Sequence, residues 1–134
     1  MPQYVVGKLA RALNARGKAV NGSRILVLGI AYKKDIDDPR ESPAFEIIEQ
    51  LLELQAHVSY HDPHIPKAPK MRSWPDLPPM ESTPITPESL RHCDAVLVVT
   101  DHRAIDYAMI LMHAPLIVDT RGVYRLPNDR VVKA

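Results

Sequence analysis

RILVLGIAYKKDIDDPRES, residues 24–42, joins an apolar run to a loop crowded with charge and then to a helix start. Residues 24–31 are almost unbroken in apolar character and rich in branched side chains. That pattern predicts a strand covered on both faces by helices and lying inside a parallel sheet. From Pro43 onward, Ala44, Phe45, Ile47, Ile48, Leu51, Leu52 and Leu54 recur at helical spacing, with the proline tolerated in the first turn. The order is strand, charged loop, helix.

In the loop, Lys33, Lys34 and Arg40 are interspersed with Asp35, Asp37 and Asp38. Open α/β sheets take ligands at the carboxyl ends of their strands, where a helix amino terminus adds free N–H groups and partial positive charge. A phosphate or pyrophosphate suits such an edge. A solvated loop whose Arg and Asp pair locally accounts for the same residues equally well, because exposed ion pairs are common and contribute little.

Upstream, Tyr4, Val5, Val6, Leu9, Ala10 and Leu13 form a helix face that ends near Gly17 and Lys18, before Asn21-Gly22-Ser23 turns into the first strand. Downstream, residues 56–60 read as a short strand closed by Asp62-Pro63, and Thr86-Pro87 as the N-cap and first turn of a short helix. A third strand covers 94–99 and ends at Thr100-Asp101-His102. A helix over 104–112, a fourth strand over 115–119 with Thr120-Arg121-Gly122 after it, and an edge strand over 130–133 complete the chain. Residues 63–87 hold most of the 13 prolines together with Trp74, show neither helical nor strand period, and predict a long, stiff surface loop. Strands alternating with helices predict an α/β fold: a Rossmann-like, doubly wound parallel sheet in three layers, with residues 1–22 as a leading helix and 23–134 as the single domain.

The 134 residues suffice for one core, and 46% hydrophobic with 25% charged content is ordinary for a globular protein. A net charge of +1 argues against nucleic acid as a partner, so any anion site is local. No apolar run approaches the roughly 20 residues of a membrane span, and the amino terminus has no signal pattern, which predicts a cytoplasmic protein without membrane contact. The single cysteine, Cys93, reads as partly buried and structural rather than nucleophilic.

Gly29 is the only glycine between Gly22 and Gly122, so no dinucleotide fingerprint follows the first strand and NAD is not expected to bind here in the usual Rossmann manner. Phosphate-binding loops of the Walker type and nucleophile elbows are also missing, and no residue is assigned a catalytic role. His57, His61 and His64, with Asp62 among them, lack the spacing of a structural zinc site, and no metal is expected. His61-Asp62-Pro63 reads instead as a strand end whose polar groups cap the turn. Asp101-His102 suits an acid/base pair, or else Asp101 caps the helix that follows; capping is the preferred reading.

GIAYKKDIDDPRESP (29–43), Tyr60-His61-Asp62-Pro63, Val99-Thr100-Asp101-His102 and Ile117-Val118-Asp119-Thr120-Arg121 together resemble, in the same order, the carboxyl-terminal domain of the nucleotide-sugar 6-dehydrogenases. These are the UDP-glucose and UDP-N-acetylhexosamine dehydrogenases, and Tyr4-Val5-Val6 with Glu41-Ser42-Pro43 looks most like the UDP-N-acetylglucosamine branch. The resemblance implies a UDP-sugar-binding domain of an NAD-dependent enzyme that oxidises a C6 alcohol to a carboxylate. NAD would be bound mainly by an amino-terminal domain of the same enzyme. A central helix would carry the dimer contact of a homo-oligomer, with residues 1–22 as its tail, and the Met1-Pro2 start hints at material missing upstream. The family's catalytic cysteine lies in a Gly-rich motif that Cys93 does not match, so the isolated chain is expected to turn nothing over and to take no cofactor by itself. Carried over by motif, Tyr32 and Lys33 contact the UDP-sugar, Arg121 the UDP moiety, and Arg40 the NAD pyrophosphate across an interdomain cleft. Gly122 departs from the family, where asparagine is frequent. The residues alone leave open a stand-alone anion-binding or protein-interaction module.

Overall fold

A computed structural model describes residues 2–134. The chain runs α1 (Pro2–Asn14), β1 (Arg24–Leu28), α2 (Ala44–Glu53), β2 (His57–His61), α3 (Pro87–His92), β3 (Ala95–Val98), α4 (Tyr107–His113), β4 (Ile117–Asp119) and β5 (Val131–Lys133). All five strands are parallel, in the order β2-β1-β3-β4-β5. β1 is therefore interior, as its unbroken apolar run required.

Alternate residues of β1 enter different cores. Ile25 and Val27 pack with Leu9 and Leu13 of α1 and with Phe45, Ile48 and Leu51 of α2. Leu26 and Leu28 pack on the other face with Leu90, Ile105 and Ile110. β3 divides in the same way, Leu97 to the first core and Val96 and Val98 to the second. Helices thus cover both faces of the sheet in three layers, and a strand between two dry faces has no polar side to show.

Glycine and its substitutes set the element ends. β1 stops at Leu28 rather than at residue 31, because Gly29 turns to φ +84°. α1 closes through Gly17, with its N–H donating to Asn14 O at 3.0 Å and that of Lys18 to Leu13 O at 2.9 Å. α2 closes through the same pair of bonds, Gln55 to Leu52 O and Ala56 to Leu51 O, with Gln55 rather than glycine in the left-handed region at φ +68°.

Thr86 caps α3 in a reciprocal box with Ser89, as its position predicts. α4 begins at Tyr107, and its cap is Asp106, whose carboxylate accepts the Met109 N–H at 3.1 Å. The expectation that Asp101 caps this helix is corrected. Ile105 is buried and the Tyr107 hydroxyl donates to His102 O at 2.8 Å, so residues 101–105 are drawn into a turn and the helix starts later.

The proline-rich segment is no detached surface loop. Ile65 is buried, and Ala68, Met71, Trp74, Leu77 and Met80 pack against the α1–α2 core. The Tyr60 hydroxyl donates to Ile65 O at 2.9 Å, and the segment doubles back so that Ser82 N–H reaches Pro66 O at 2.9 Å. A cavity of about 540 Å³ remains between this segment and Ile30, Phe45, Ile48 and Tyr60.

Candidate functional site

The chain leaves β1 for β2 on one side and returns to β3 on the other, so the order of the sheet reverses between β1 and β3. Open α/β sheets bind ligands outside the carboxyl ends of the strands at such a point. Two loops meet there, 29–43 after β1 and 99–103 after β3.

Asp62, just past β2 and 1% exposed, ties these loops together. Its Oδ2 accepts the N–H groups of Ile30 at 2.8 Å and Ala31 at 3.2 Å and the Nε2 of His102 at 2.9 Å, while Oδ1 accepts the His64 N–H at 2.8 Å. Burial pushes this carboxyl up, but the hydrogen bonds from His102, Ile30 and His64 outweigh it and hold it below the usual carboxylate value. The turn-capping role expected for His61-Asp62-Pro63 is present in the His64 bond. The link to the other two loops is not legible from that motif.

Gly29 brings the loops into contact. A Cβ on it would lie 2.4 Å from the Thr100 Cβ and 2.6 Å from the Thr100 carbonyl oxygen. Thr100 is fully buried and its Oγ1 donates to Ala31 O at 2.7 Å. In a dinucleotide fold the corresponding glycine admits a pyrophosphate; here the space is filled by the chain's own threonine. The end of β1 therefore does not fit NAD in a glycine cradle.

The loop residues divide by what they touch. Tyr32 and Arg40 share a shallow hollow of about 430 Å³ with Asp38 and Glu41. Lys33 extends beside it, its Nζ 5.6 Å from the centre of the Tyr32 ring. Arg40 grips Asp38, Nη2 to Oδ2 at 2.8 Å and Nε to Oδ1 at 3.0 Å, and these hydrogen bonds pull the Asp38 carboxyl down to about 2. Local pairing thus describes Arg40. It does not describe Lys33, which enters no ion pair among the described residues.

Arg121 lies past β4, on the far side of β3 from the Tyr32 hollow. Asp119 fixes its backbone, Oδ1 accepting the Arg121 N–H at 3.0 Å and Oδ2 the Tyr124 N–H at 2.9 Å. The Arg121 Nε donates to Val99 O at 2.9 Å, leaving both Nη atoms without a protein acceptor among the described residues. The side chain borders a separate hollow of about 250 Å³ with Tyr4, Pro43, Ile47 and Thr120. Tyr32 and Arg40 are therefore brought together and Arg121 stands apart from them, all three at the carboxyl edge.

Among the described residues His57, His61 and His64 do not come together as one cluster. His57 and His61 sit at opposite ends of β2, and His61 Nδ1 lies 2.8 Å from Thr83 O. Asp35, His64 and His102 do bring ligand-type atoms within 4.8 Å of one another, but both nitrogens of His102 are engaged, by Asp62 and by the Asp35 N–H. Cys93 is partly buried with its Sγ near Ser89 O, and burial raises its thiol, as expected of a structural cysteine.

These features define a Rossmann-like domain with cations at its carboxyl edge and no dinucleotide cradle. The family model described as the UDP-glucose/GDP-mannose dehydrogenase family, UDP binding domain, matches residues 26–126, and the chain belongs to that family. It is 31% identical over 129 residues to a UDP-glucose 6-dehydrogenase of Rhizobium meliloti, covering 92% of this chain and 28% of the relative. A UDP-N-acetyl-D-mannosamine dehydrogenase of Methanococcus maripaludis is 34% identical over 104 residues, which is 78% of this chain and 21% of the relative. In fold it matches a UDP-D-ManNAc dehydrogenase of Pyrococcus horikoshii with a TM-score of 0.76 at 23% identity, over 98% of this chain and 29% of that one. The chain thus spans under a third of the length of these relatives.

Proposed function

We propose that this domain holds the diphosphate end of a UDP-sugar within an NAD-dependent nucleotide-sugar 6-dehydrogenase, which oxidises the sugar's C6 alcohol to a carboxylate. The observation that carries the reading is that Lys33 and Arg121, past β1 and β4, form no ion pair with a carboxylate among the described residues, in a family named for UDP binding. An ammonium supplies a point charge to a phosphate, and a guanidinium with both Nη atoms free offers a fork to its oxygens. Tyr32, beside Lys33 and 42% exposed, contributes a flat apolar wall and a hydroxyl to the sugar nucleotide. Arg40, paired with Asp38 here, is the residue that would reach the NAD pyrophosphate, which a separate domain of the enzyme would hold. That domain supplies the hydride acceptor.

In this reading α1 is the end of the family's central helix; the likeness in fold supports it, since it extends over 98% of the chain and so beyond residues 26–126. The complete enzyme is a cytoplasmic homo-oligomer, and this domain alone turns nothing over. Among the described residues no helix is long and apolar enough to cross a membrane. Calorimetric titration with UDP, UDP-glucose, ATP and inorganic pyrophosphate tests the assignment. A uridine preference is expected, with Lys33→Ala and Arg121→Ala each weakening UDP binding by roughly tenfold, the worth of one charge-assisted hydrogen bond. Equal binding of all four anions, or unchanged UDP affinity in Arg121→Ala, sinks it.

A further inference from the structure

We infer that His102 is the positioning residue for the loop that carries Tyr32 and Lys33: it fixes the loop by accepting the Asp35 N–H and is itself aimed by Asp62. The inference deepens the UDP-binding reading and rests on it for its functional consequence. The Asp35 N–H lies 2.8 Å from His102 Nδ1. A backbone N–H only donates, so Nδ1 carries the lone pair and the ring proton sits on Nε2, 2.9 Å from Asp62 Oδ2. The ring is neutral and its tautomer is dictated from both sides.

Asp62 cannot swing away, because its two oxygens also accept the Ile30, Ala31 and His64 N–H groups. The His102 ring is fully buried, with the His64 ring edge-on at 4.6 Å and the Tyr107 hydroxyl holding the His102 carbonyl. Nδ1 is thus an acceptor fixed to the rigid end of the sheet. On the loop side, Asp35 adopts φ +62°, a left-handed conformation that aspartate tolerates and most residues avoid. In that conformation its N–H meets His102 while its Oδ1 accepts the Arg103 N–H at 2.7 Å. One residue therefore makes both bonds, one in each direction, two positions from Lys33.

The remaining order of the loop is its own, for instance Tyr32 N–H to Asp38 O at 2.7 Å and the Arg40–Asp38 pair. Without the Asp35 anchor, the side-chain ties to the sheet ends shown by Thr100 Oγ1 to Ala31 O and by Asp62 to the Ile30 and Ala31 N–H groups hold only the β1 end of the loop. Lys33 would then sample positions rather than hold one. Phosphate recognition by a flexible lysine gains from such a tether, since ordering the loop on binding offsets part of the interaction.

Two substitutions separate positioning from packing. His102→Asn places an amide oxygen near Nδ1, keeping an acceptor for Asp35 while losing the donor to Asp62. His102→Gln places an amide N–H near Nε2, keeping the bond to Asp62 while losing the acceptor for Asp35. In the full chain, Asp35 amide protection from hydrogen exchange and UDP affinity should both fall by roughly five- to tenfold in His102→Gln, the worth of one hydrogen bond. Both should fall less in His102→Asn than in His102→Gln, because the acceptor for Asp35 is kept and only its aiming by Asp62 is lost. Wild-type protection and affinity in His102→Gln, or losses in His102→Asn as large as in His102→Gln, overturn the inference. Nitrogen NMR of the wild type needs no variant to fold: an unprotonated Nδ1 and a protonated Nε2 are expected, and the reverse tautomer overturns the inference. A wild type that binds no UDP overturns the UDP reading alone, while the tautomer and the loop protection still decide whether His102 holds the loop.

Discussion

Gly29→Ala is the most direct test of how the two edge loops are joined. The added Cβ would sit 2.4 Å from the Thr100 Cβ, 2.6 Å from its carbonyl oxygen and 2.9 Å from its Cα, where carbon contacts normally lie at about 3.5–4.0 Å. Thr100 has nowhere to retreat. It is fully buried, its N–H donates to Leu28 O at 3.1 Å and its Oγ1 to Ala31 O at 2.7 Å, and two of the three close atoms are backbone. Forcing the overlap costs about 1–3 kcal/mol as overpacking, and holding alanine at φ +84° costs about 1–2 kcal/mol more. Together that is roughly 2–5 kcal/mol against a folding stability of about 5–15 kcal/mol. For a chain of this length the unfolding entropy is about 0.3 kcal/mol per kelvin, so Tm should fall by roughly 7–18 °C.

Gly122→Ala provides the control, because Gly122 also has positive φ, at +70°, but nothing lies within 4 Å of its Cβ position. It should show the conformational part alone, about 1–2 kcal/mol. Urea unfolding of both variants beside wild type, with m-values compared, isolates the steric part as the difference in midpoint stability. If Gly29→Ala costs no more than Gly122→Ala, the close approach of Thr100 is not what demands glycine at the end of β1.

Asp62 should make the fold acid-sensitive. Its folded pKa is depressed below the unfolded value of about 3.9, so its stabilisation is present above that value and is lost as pH falls through the folded pKa. Asp62→Asn should lose about 2–4 kcal/mol near neutral pH, since an amide N–H must then face backbone donors in a buried site. Its urea midpoint should vary less than that of wild type between about pH 4 and pH 2; an equally steep acid limb would refute this. Gln55→Gly removes a left-handed glutamine from the end of α2 and should raise stability by about 0.5–1 kcal/mol. A lower urea midpoint would show that the greater freedom of glycine in the unfolded chain prevails.

Strand and helix identity were legible because each rests on local period. The apolar run of β1, the spacing of Phe45, Ile48 and Leu51, and Thr86-Pro87 at the start of α3 all record burial or capping within a few residues. The packing of the proline-rich segment is hidden from any reading by the periods of helices and strands, because it follows neither. Its packed residues Ile65, Ala68, Met71, Trp74, Leu77 and Met80 recur at every third position, the repeat of an extended proline-type helix. That spacing was the available signal. The start of α4 is ambiguous in sequence for a different reason: Asp101 and Asp106 are both eligible caps, and the burial of Ile105 decides between them. Asp62, His102 and Asp35 were visible as motif letters but not as a cluster. Their bonds join positions 40 and 67 residues apart, and such pairings leave no mark in any local window.

The two readings of the charged loop turn out to describe different residues in it. Asp38 takes Arg40, and Asp35 lies 3.7 Å from the Arg103 Nε while its Oδ1 is held by the Arg103 N–H. These aspartates are thus engaged with neighbouring arginines or with backbone donors. Asp62 and Asp119 are likewise filled, by N–H groups that fix the loops after β1 and β4. Asp35, Asp38, Asp62 and Asp119 are therefore occupied in shaping the loops, whereas Asp37, Glu41 and Asp101 enter no ion pair among the described residues. A chain with a net charge of only +1 can in this way leave Lys33 and the Arg121 fork without carboxylate partners, since an anion site depends on which charges lack partners more than on the sum of all charges.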